Sequence, residues 1–571
     1  MTTPDPRQAK GTAAVSGMTA ASPEAGFATP PALPRRRFLR QLAYGSGALL
    51  APNLLIRRAT AADNGPHARG IVFHDRSGSG RAGGDNPGLA GIAVSNGRDL
   101  TLTDERGEWS LPVLDDSPST DFMVLPARGW TTPLSADACR LAHYTHHPEG
   151  SPQQRYPGFE PTGPLPERIP FPLIEQEQAD RFKIIVCGDP QPRDQREVDY
   201  IAQSVPREIA REQADFAVAL GDIMFDDLDL FPALRGALAS AGLPWHYVIG
   251  NHDLNFDAPD HTHSRETYRH QFGPTTYAFD HGPVHFIVVD NVEWEGARED
   301  SPGATGFYRG YLQERELEFI TNDLERLPKD QLVVIFMHIP LLNPYSPRHQ
   351  TQNRDRLYKL LKDRPNTLSF SAHTHWHHHL MIGDDDGFAG AAPHHHVISG
   401  TLCGSWFRGA PGMDMIPQAV MSDGTPRGYQ VVQFDRNSYA IDGYKVIGGD
   451  RDRHLHISMA DEVAAAETGA ESYHVNLYSA GPAAVVRARV ADGPWQELER
   501  VEQADPLMAM LHERDADLQL PWRPHPRPST CPHLWTGRLP EGLAPGTHVL
   551  QIEADDGFGH PRSDLRPFRV V

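Results

Sequence analysis

Cysteine is scarce in this sequence, and its spacing excludes two common classes of site. Only four cysteines occur in 571 residues, and no two of them form a CxxC pair. A zinc ribbon and a thioredoxin-type redox motif both need such pairs, so both are excluded. One disulfide in an exported protein and a set of buried free thiols are the two alternatives left open. The four residues are Cys139, Cys187, Cys403 and Cys531.

Positive charge is also in short supply. The 53 lysines and arginines are outnumbered by 74 aspartates and glutamates, which gives a net charge of −21. Because an acidic surface repels phosphate backbones and anionic lipids, long nucleic acids are not expected as substrates. A bound metal ion would reverse this field locally. The expected partner is therefore a small molecule.

Long apolar runs are absent, and the N-terminal residues 1–61 read instead as a targeting segment. Three arginines at 35–37 precede Phe-Leu-Arg, the mildly apolar run Leu42–Ile56 follows, and Ala59–Ala61 offers small residues for cleavage. This order resembles a bacterial twin-arginine signal, which implies export by the twin-arginine machinery to the periplasm or the exterior. A basic patch on a disordered tail is the alternative. Glycines and Pro52 break the apolar run, so no segment is expected to span a membrane.

Glycine and proline, by contrast, are abundant. The 50 glycines and 51 prolines favour many loops and short β units, and the length favours three or four domains. The expected order is a disordered n-region and signal peptide (1–61), an immunoglobulin- or prealbumin-like β-sandwich (67–148), a linker (149–180), an α/β domain (181–436) and a C-terminal β domain (437–571).

Between residues 181 and 436, apolar strands alternate with amphipathic helices. Phe182–Cys187 has the composition of a strand buried on both faces, and similar runs recur as far as His396–Ser399. Gln313–Leu327 carries apolar residues at helical spacing. This alternation predicts a layered α/β domain.

Polar side chains follow five of these strands. They are Asp189 and Gln191, then Asp222, then Asn251, His252 and Asp253, then His338, and finally His373 and His375. Ligands bind where an α/β sheet turns at the carboxyl ends of its strands, so we expect these residues to lie together. Oxygen and imidazole ligands in one site suit Mn, Fe, Co or Zn. Two such ions would activate a water and neutralise the charge of a phosphoryl group.

In chain order, these blocks resemble the motifs of the calcineurin-like metallophosphoesterase family. Those motifs are Asp-x-His, Gly-Asp-x-x-Asp, Gly-Asn-His-Asp/Glu, a lone His and Gly-His-x-His, and Gly250–Asp253 is the most specific match. The resemblance implies a layered αββα domain over 181–436. It also implies two divalent metal ions and a small phosphoester substrate.

The resemblance further implies a role for each residue. The first metal would be held by Asp189, Gln191, Asp222 and His375. The second would be held by the bridging Asp222 together with Asn251, His338 and His373. His252 would contact the scissile phosphate and assist the leaving oxygen, and Asp253 would orient its imidazole.

Three positions depart from the family pattern. Gln191 stands where many members have His, which leaves the affinity and identity of the first metal open. Asp226 lies four residues after Asp222 rather than three, and neither it nor Asp227 is assigned as a ligand. Ala372 replaces the usual Gly before His373.

Several other residues have two interpretations. The runs His377–His379 and His394–His396 have a metal-binding composition, but adjacent side chains on a strand point to opposite faces. A solvated loop and sheet edge is therefore the favoured expectation for them. Trp406 and Tyr429 would either stack on a substrate or pack under a loop.

The resemblance implies an exported phosphoesterase that attacks phosphomonoesters or phosphodiesters with a hydroxide bridging two metals. The alternative is a catalytically impaired cell-envelope protein that binds through its flanking β domains, for which Gln191 is the only support. A 5′-nucleotidase-like activity is a third interpretation, although the C-terminal region has no recognisable nucleoside-binding motif.

Overall fold

The computed structural model of the protein describes residues 65–136, 138–139, 142–297 and 306–571. The predicted signal segment, 1–61, lies outside these residues. Within the described ranges, no helix is long and apolar enough to cross a membrane. None of the four cysteines, all of which are described, forms a disulfide, and three of them are buried, so the structure favours buried thiols.

The N-terminal domain is a sandwich of two four-stranded sheets. Its strands are β1 (His67–His74), β2 (Ala93–Ser95), β3 (Leu100–Leu102), β4 (Glu108–Pro112), β5 (Thr120–Leu125), β6 (Trp130–Thr131), β7 (His143–His146) and β8 (Ile169–Glu175). One sheet has the order β4-β1-β8-β6 and the other β3-β2-β5-β7. Inward-facing side chains fill the space between them, and the Trp109 and Phe171 rings stack 5.6 Å apart.

The segment 149–180 is not the simple linker expected from its composition. It contains β8, which runs parallel to β1. Ile169, Phe171 and Leu173 alternate into the core, while Pro170 between them is exposed. The strand β6 pairs with only the last two residues of β8, so the N–H groups missing at the prolines break no ladder along that edge. A proline-rich composition therefore concealed a strand.

In its described residues, the central domain has thirteen strands and five α-helices. The strands are β9 (Arg181–Cys187), β10 (Phe216–Ala219), β11 (Trp245–Tyr247), β12 (Tyr277–His281), β13 (Val284–Val288), β14 (Val292–Gly296), β15 (Phe307–Gly310), β16 (Val333–Phe336), β17 (Thr367–Ser371), β18 (His378–Ile382), β19 (His394–Ile398), β20 (Gly428–Asp435) and β21 (Ser438–Val446). The helices are α1 (Gln195–Ala210), α2 (Phe231–Ala239), α3 (Glu266–Phe272), α4 (Glu314–Glu325) and α5 (Arg354–Leu361).

Two stacked sheets form the centre of this domain. One has the order β11-β10-β9-β20-β21 and the other β12-β13-β16-β17-β19-β18. Alternate residues of β9 and β10 face the second sheet, where Ile184 and Val218 share a core with α4. The intervening residues, such as Ile185 and Ala217, pack against α1 and α2. The predicted αββα layering is confirmed.

The boundary expected at residue 436 lies inside this fold. The strand β21 pairs along its whole length with β20, with one bulge between Val431 and Val432. Ile441, Tyr444 and Val446 of β21 are buried. Residues 437–446 therefore belong to the central sheet, because their backbone hydrogen bonds and apolar side chains are satisfied there.

The C-terminal domain is a second pair of sheets around one core. Its elements are β22 (Leu455–Ser458), β23 (Glu462–Val463), β24 (Ser472–Leu477), β25 (Val485–Val490), β26 (Gln496–Glu497), β27 (Glu499–Ala504), α6 (Pro506–Asp517), β28 (Thr530–Arg538), β29 (Gly546–Asp555) and β30 (Pro561–Val570). The sheet orders are β22-β24-β28-β27 and β23-β30-β29-β25-β26.

Candidate metal centre

The predicted ligands lie in the loops that leave β9, β10, β11, β16 and β17 at their carboxyl ends. Five of these residues have a left-handed backbone, which is uncommon for residues with a side chain. They are Asp189, Gln191, Asp222, His373 and His375, with φ between 28° and 72°. Such strain clusters at functional sites, where the surrounding structure holds it in place. Here it turns five polar side chains toward one region.

Gly250 shows how closely these loops approach each other. A Cβ atom on this residue would lie 2.0 Å from the backbone nitrogen of Asp222. Only glycine allows the loop after β11 to pass so near the loop after β10. The glycine of the Gly-Asn-His-Asp block is therefore required by packing.

Four of the ligands are in direct contact. The Nε2 atom of His338 lies 3.3 Å from Oδ1 of Asp222, 3.1 Å from Oδ1 of Asn251 and 3.2 Å from Nδ1 of His373. Ligand atoms of Asp222, His338 and His373 all lie within 4.8 Å of one another, close enough to hold one metal ion. These are the residues predicted for the second metal.

The residues predicted for the first metal surround the same point less tightly. Gln191 donates from Nε2 to Oδ2 of Asp222 at 3.1 Å, and Oδ1 of Asp189 lies 3.9 Å from Nδ1 of His338. His375 is buried, and its Nδ1 donates to the carbonyl of Gly404 at 2.6 Å. We refer to these seven residues together as the metal centre: Asp189, Gln191, Asp222, Asn251, His338, His373 and His375.

Unpaired buried atoms show that the metal centre fits a cation. Oδ1 of Asp189, Oε1 of Gln191 and Nε2 of His373 have no hydrogen-bond partner, although most buried polar atoms have one. His338 donates from Nδ1 to the carbonyl of Leu220 at 2.8 Å. His375 makes the equivalent bond to Gly404. In both residues the proton therefore lies on Nδ1, and Nε2 can serve as a metal ligand.

The buried carboxylates and imidazoles of the metal centre shift one another's pKa values. Burial, with the adjacent Asp222 charge, raises the pKa of Asp189 to about 8. Burial also opposes ionisation of Asp222, but His338 and His252 hold its pKa well below the usual range. Burial lowers and Asp222 raises the pKa of His338, which reaches about 9. Protons here occupy the place that a divalent cation would take.

The structure corrects the predicted role of Asp253. Its carboxylate accepts hydrogen bonds from the backbone N–H groups of Ile223, Met224 and Gly250 at 2.8–3.1 Å. The partner of the His252 imidazole is Asp226, whose Oδ1 lies 2.7 Å from Nδ1. Asp253 therefore fastens two loops together.

The motif spacing concealed Asp226 because it lies one residue later than the family pattern places it. The available signal in the sequence is the second carboxylate of the Gly221–Asp226 block.

Five of the six residues in the two histidine runs are buried, so the expected solvation is wrong, although β18 does lie at the edge of its sheet. We refer to His377, His379, His394, His395 and His396 as the histidine cluster; each is at most 3% exposed. The C-terminal domain covers one side, where Ser479 and Phe558 contact His379.

The two aromatic candidates have different surroundings. Trp406 stacks on His375 with ring centres 4.3 Å apart. Tyr429 is fully buried, and its hydroxyl donates to Glu212 and to the carbonyl of Glu208. Trp406 therefore stays a candidate for substrate contact, and Tyr429 packs in the interior.

An αββα fold with carboxylate, amide and imidazole ligands at the strand ends defines a metal-binding phosphoesterase. The family model described as calcineurin-like phosphoesterase matches residues 182–377, and that of the C terminal of calcineurin-like phosphoesterase matches residues 396–561. The chain belongs to the calcineurin-like phosphoesterase family and is a hydrolase of phosphoric ester bonds.

Solved structures give only distant similarities. The chain is 11% identical to PhoD, with a TM-score of 0.35, over 68% of this chain and 83% of that one. It is 11% identical to purple acid phosphatase PPD1 from yellow lupin seeds, with a TM-score of 0.34, over 63% and 90%. For GAP50 of Plasmodium the values are 15% and 0.29, over 47% and 84%. No curated protein matches the sequence.

Proposed function

We propose that this protein is an exported phosphoesterase that hydrolyses small phosphomonoesters or phosphodiesters at two divalent metal ions. The observation that carries the proposal is the set of buried, unpaired ligand atoms on Asp189, Gln191 and His373. In a catalytically impaired binding protein, such atoms would lack any purpose and would cost folding free energy.

The residues present would divide the two ions between them. Asp222 contacts members of both ligand sets and would be a ligand of both ions. When bound, the ions, which we expect to be Mn, Fe, Zn or Co, would supply a hydroxide at neutral pH and neutralise phosphoryl charge. Gln191 contributes only a neutral carbonyl oxygen, so we expect the first ion to bind more weakly than the second.

The side chains of the protein perform the remaining steps. His252 is the proton donor to the leaving oxygen, and with Nδ1 held by Asp226, Nε2 is the atom that donates. Phe225 stacks on the His252 ring at 4.7 Å between centres and restricts its rotation. Asp253 keeps the loops after β10 and β11 in register.

A substrate and metal screen tests this proposal. Purified protein is assayed on matched aryl monoesters and diesters with each candidate metal, and bound metal is counted per chain. We expect turnover and two ions in the wild-type protein. Asp222→Asn, which removes the bridging charge, should reduce turnover to background, whereas the exposed Asp385→Asn should leave it unchanged. Undiminished turnover in Asp222→Asn would refute the proposed centre.

Export is tested separately. Replacing Arg35 and Arg36 by lysine should retain the protein in the cytoplasm, since the twin-arginine machinery reads that pair. Unchanged appearance of the protein outside the cytoplasm would count against this route.

A further inference from the structure

Two arginines lie beside the metal centre without a carboxylate partner. The guanidinium carbon of Arg193 lies 4.5 Å from the centre of the Phe225 ring, and that of Arg408 lies 5.4 Å from the Trp406 ring. Among the described residues, neither side chain forms an ion pair within 4.0 Å, and the Nε atoms of both are buried without a partner.

Each arginine is connected to the metal centre through one aromatic ring. Phe225 also stacks on His252, with ring centres 4.7 Å apart, and Trp406 stacks on His375 at 4.3 Å. The two contacts place positive charge beside His252 and beside His375. The charge of Arg193, in addition to burial, lowers the pKa of Arg408. Two neighbouring cations without a carboxylate partner would attract an anion.

The carboxylate that contacts the backbone of Arg193 is already occupied. Glu197 accepts from the backbone N–H of Arg193 at 2.9 Å and pairs with Arg523. Arg523 also donates to the carbonyl oxygen of Trp406, and its own carbonyl accepts from the backbone N–H of Gly409 at 2.9 Å. The loop that carries Arg408 is thus fixed by the C-terminal domain. Arg408 itself makes one long bond of 3.4 Å, to the carbonyl of Pro524.

From this arrangement we infer that Arg193 and Arg408 form a subsite for a second anionic group, a carboxylate or phosphate, on the leaving-group arm of the substrate. The leaving-group arm is favoured because Phe225 touches His252, the proposed donor to the leaving oxygen. Guanidinium groups suit both anions, since their planar N–H groups match paired oxygens. The inference rests on the proposed function and names the substrate class: phosphoesters that carry a second anionic group.

Three substrates separate the two kinds of anion. Phenyl phosphate has one anionic group, whereas 4-carboxyphenyl phosphate and 1,4-phenylene bisphosphate have a second. For at least one of the two substrates with a second anionic group, we expect the KM of the wild-type protein to be about tenfold lower than for phenyl phosphate. Arg408→Gln and Arg193→Gln should abolish that difference. Arg196→Gln, which removes an exposed arginine from α1, should retain it, and Arg193→Lys should retain part of it.

Binding measurements keep this inference separable from the proposed function. Calorimetry with phenylphosphonate and 1,4-benzenediphosphonate, together with melting temperatures, distinguishes lost binding from lost folding. If the protein hydrolyses phenyl phosphate and shows no preference for substrates with a second anionic group, the subsite is overturned but the proposed hydrolase activity is not. If no substrate is hydrolysed, the phosphonates decide: equal affinities overturn the subsite, and a preference for the diphosphonate that Arg408→Gln removes supports it.

Discussion

The metal centre and the histidine cluster are neighbours in sequence and contain the same type of residue, yet they differ in how their nitrogens are satisfied. His373 and His375 belong to the metal centre, and His377 and His379 to the histidine cluster. In the metal centre, Nε2 of His373 is unpaired, and its Nδ1 lies 3.2 Å from Nε2 of His338, which in turn lies 3.3 Å from Oδ1 of Asp222. In the histidine cluster, His379 contacts His377, His395 and Ser479 at 3.0–3.2 Å.

Burial lowers the pKa of every member of the histidine cluster, to about 3 for His377 and His394 and about 4 for His395. These imidazoles are therefore neutral, and they serve as hydrogen-bonding core residues. The comparison teaches that burial and composition do not identify a metal ligand. What distinguishes the metal centre is that ligand atoms of Asp222, His338 and His373 converge within 4.8 Å of one another.

The largest effect is expected from His373→Ala. Removal of this ligand should reduce phosphoester hydrolysis by more than about a hundredfold, beyond the usual effect of outer-shell changes. Because metal binding stabilises the native state, a chelator should lower the melting temperature of the wild-type protein but not that of His373→Ala. If the chelator lowers the melting temperature of both proteins equally, His373 is not a metal ligand.

His396→Ala should have the opposite profile. Its ring is fully buried and bonded to Ser369, Ser371 and the backbone of Leu341 at 2.7–3.2 Å. Truncation leaves a cavity and unpaired groups, which should destabilise the protein by about 3 kcal/mol. Chemical unfolding would measure this, with the exposed His270→Ala as the control. The kcat and the effect of the chelator on the melting temperature should stay at wild-type values. Loss of either would show that the histidine cluster also contributes to metal binding or catalysis.

His285 adds a third kind of buried histidine, one that is charged without a metal. Its nitrogens lie 2.7 Å from Asp280 and Asp323, and Arg326 also pairs with Asp323. Burial would lower the pKa of His285, but the two carboxylates raise it. Since the folded pKa exceeds the unfolded value of about 6.5, the stabilisation is full below that pH and disappears as pH rises through the folded pKa.

The variant His285→Gln tests this linkage. The wild-type protein should be more stable than the variant by about 2 kcal/mol at pH 6, the strength of charge-assisted bonds. The difference should shrink toward alkaline pH. Unfolding curves at several pH values would measure it, and a constant difference would show that the imidazole is neutral.

The smallest effect is expected from Asp226→Asn. Loss of this carboxylate should lower kcat about tenfold, because His252 would keep its place but lose its orienting partner. Metal content should not change. The alkaline limb of the pH–rate profile should move to lower pH, since the carboxylate raises the pKa of His252 against the effect of burial. If an Asp253→Asn variant produced the same shift, the residue that orients the His252 imidazole would be Asp253, as the sequence predicts.

The sequence predicted the layered domain and the ligand residues because strand ends and motif order are local signals. Phe182–Cys187 and the residues that follow it could be recognised without tertiary information. The partner of His252 could not, because Asp253 and Asp226 differ only in where the loops direct them.

Burial of the histidine runs could not be predicted either. The cover over His379 comes from Ser479 and Phe558, which are at least 100 residues away in sequence. The strand β8 was missed for a different reason. Its two prolines are rare in strands, and only the partial pairing of its outer edge makes them tolerable.

The clamp that Arg523 makes on the loop of Trp406 means that the domains of this protein are not interchangeable parts. A chain with the same hydrolytic domain and an unrelated C-terminal domain would keep the metal ligands but would lack the contacts that fix the Trp406 loop beside His375. In such proteins the C-terminal domain would determine substrate selectivity, and the central domain would determine the chemistry.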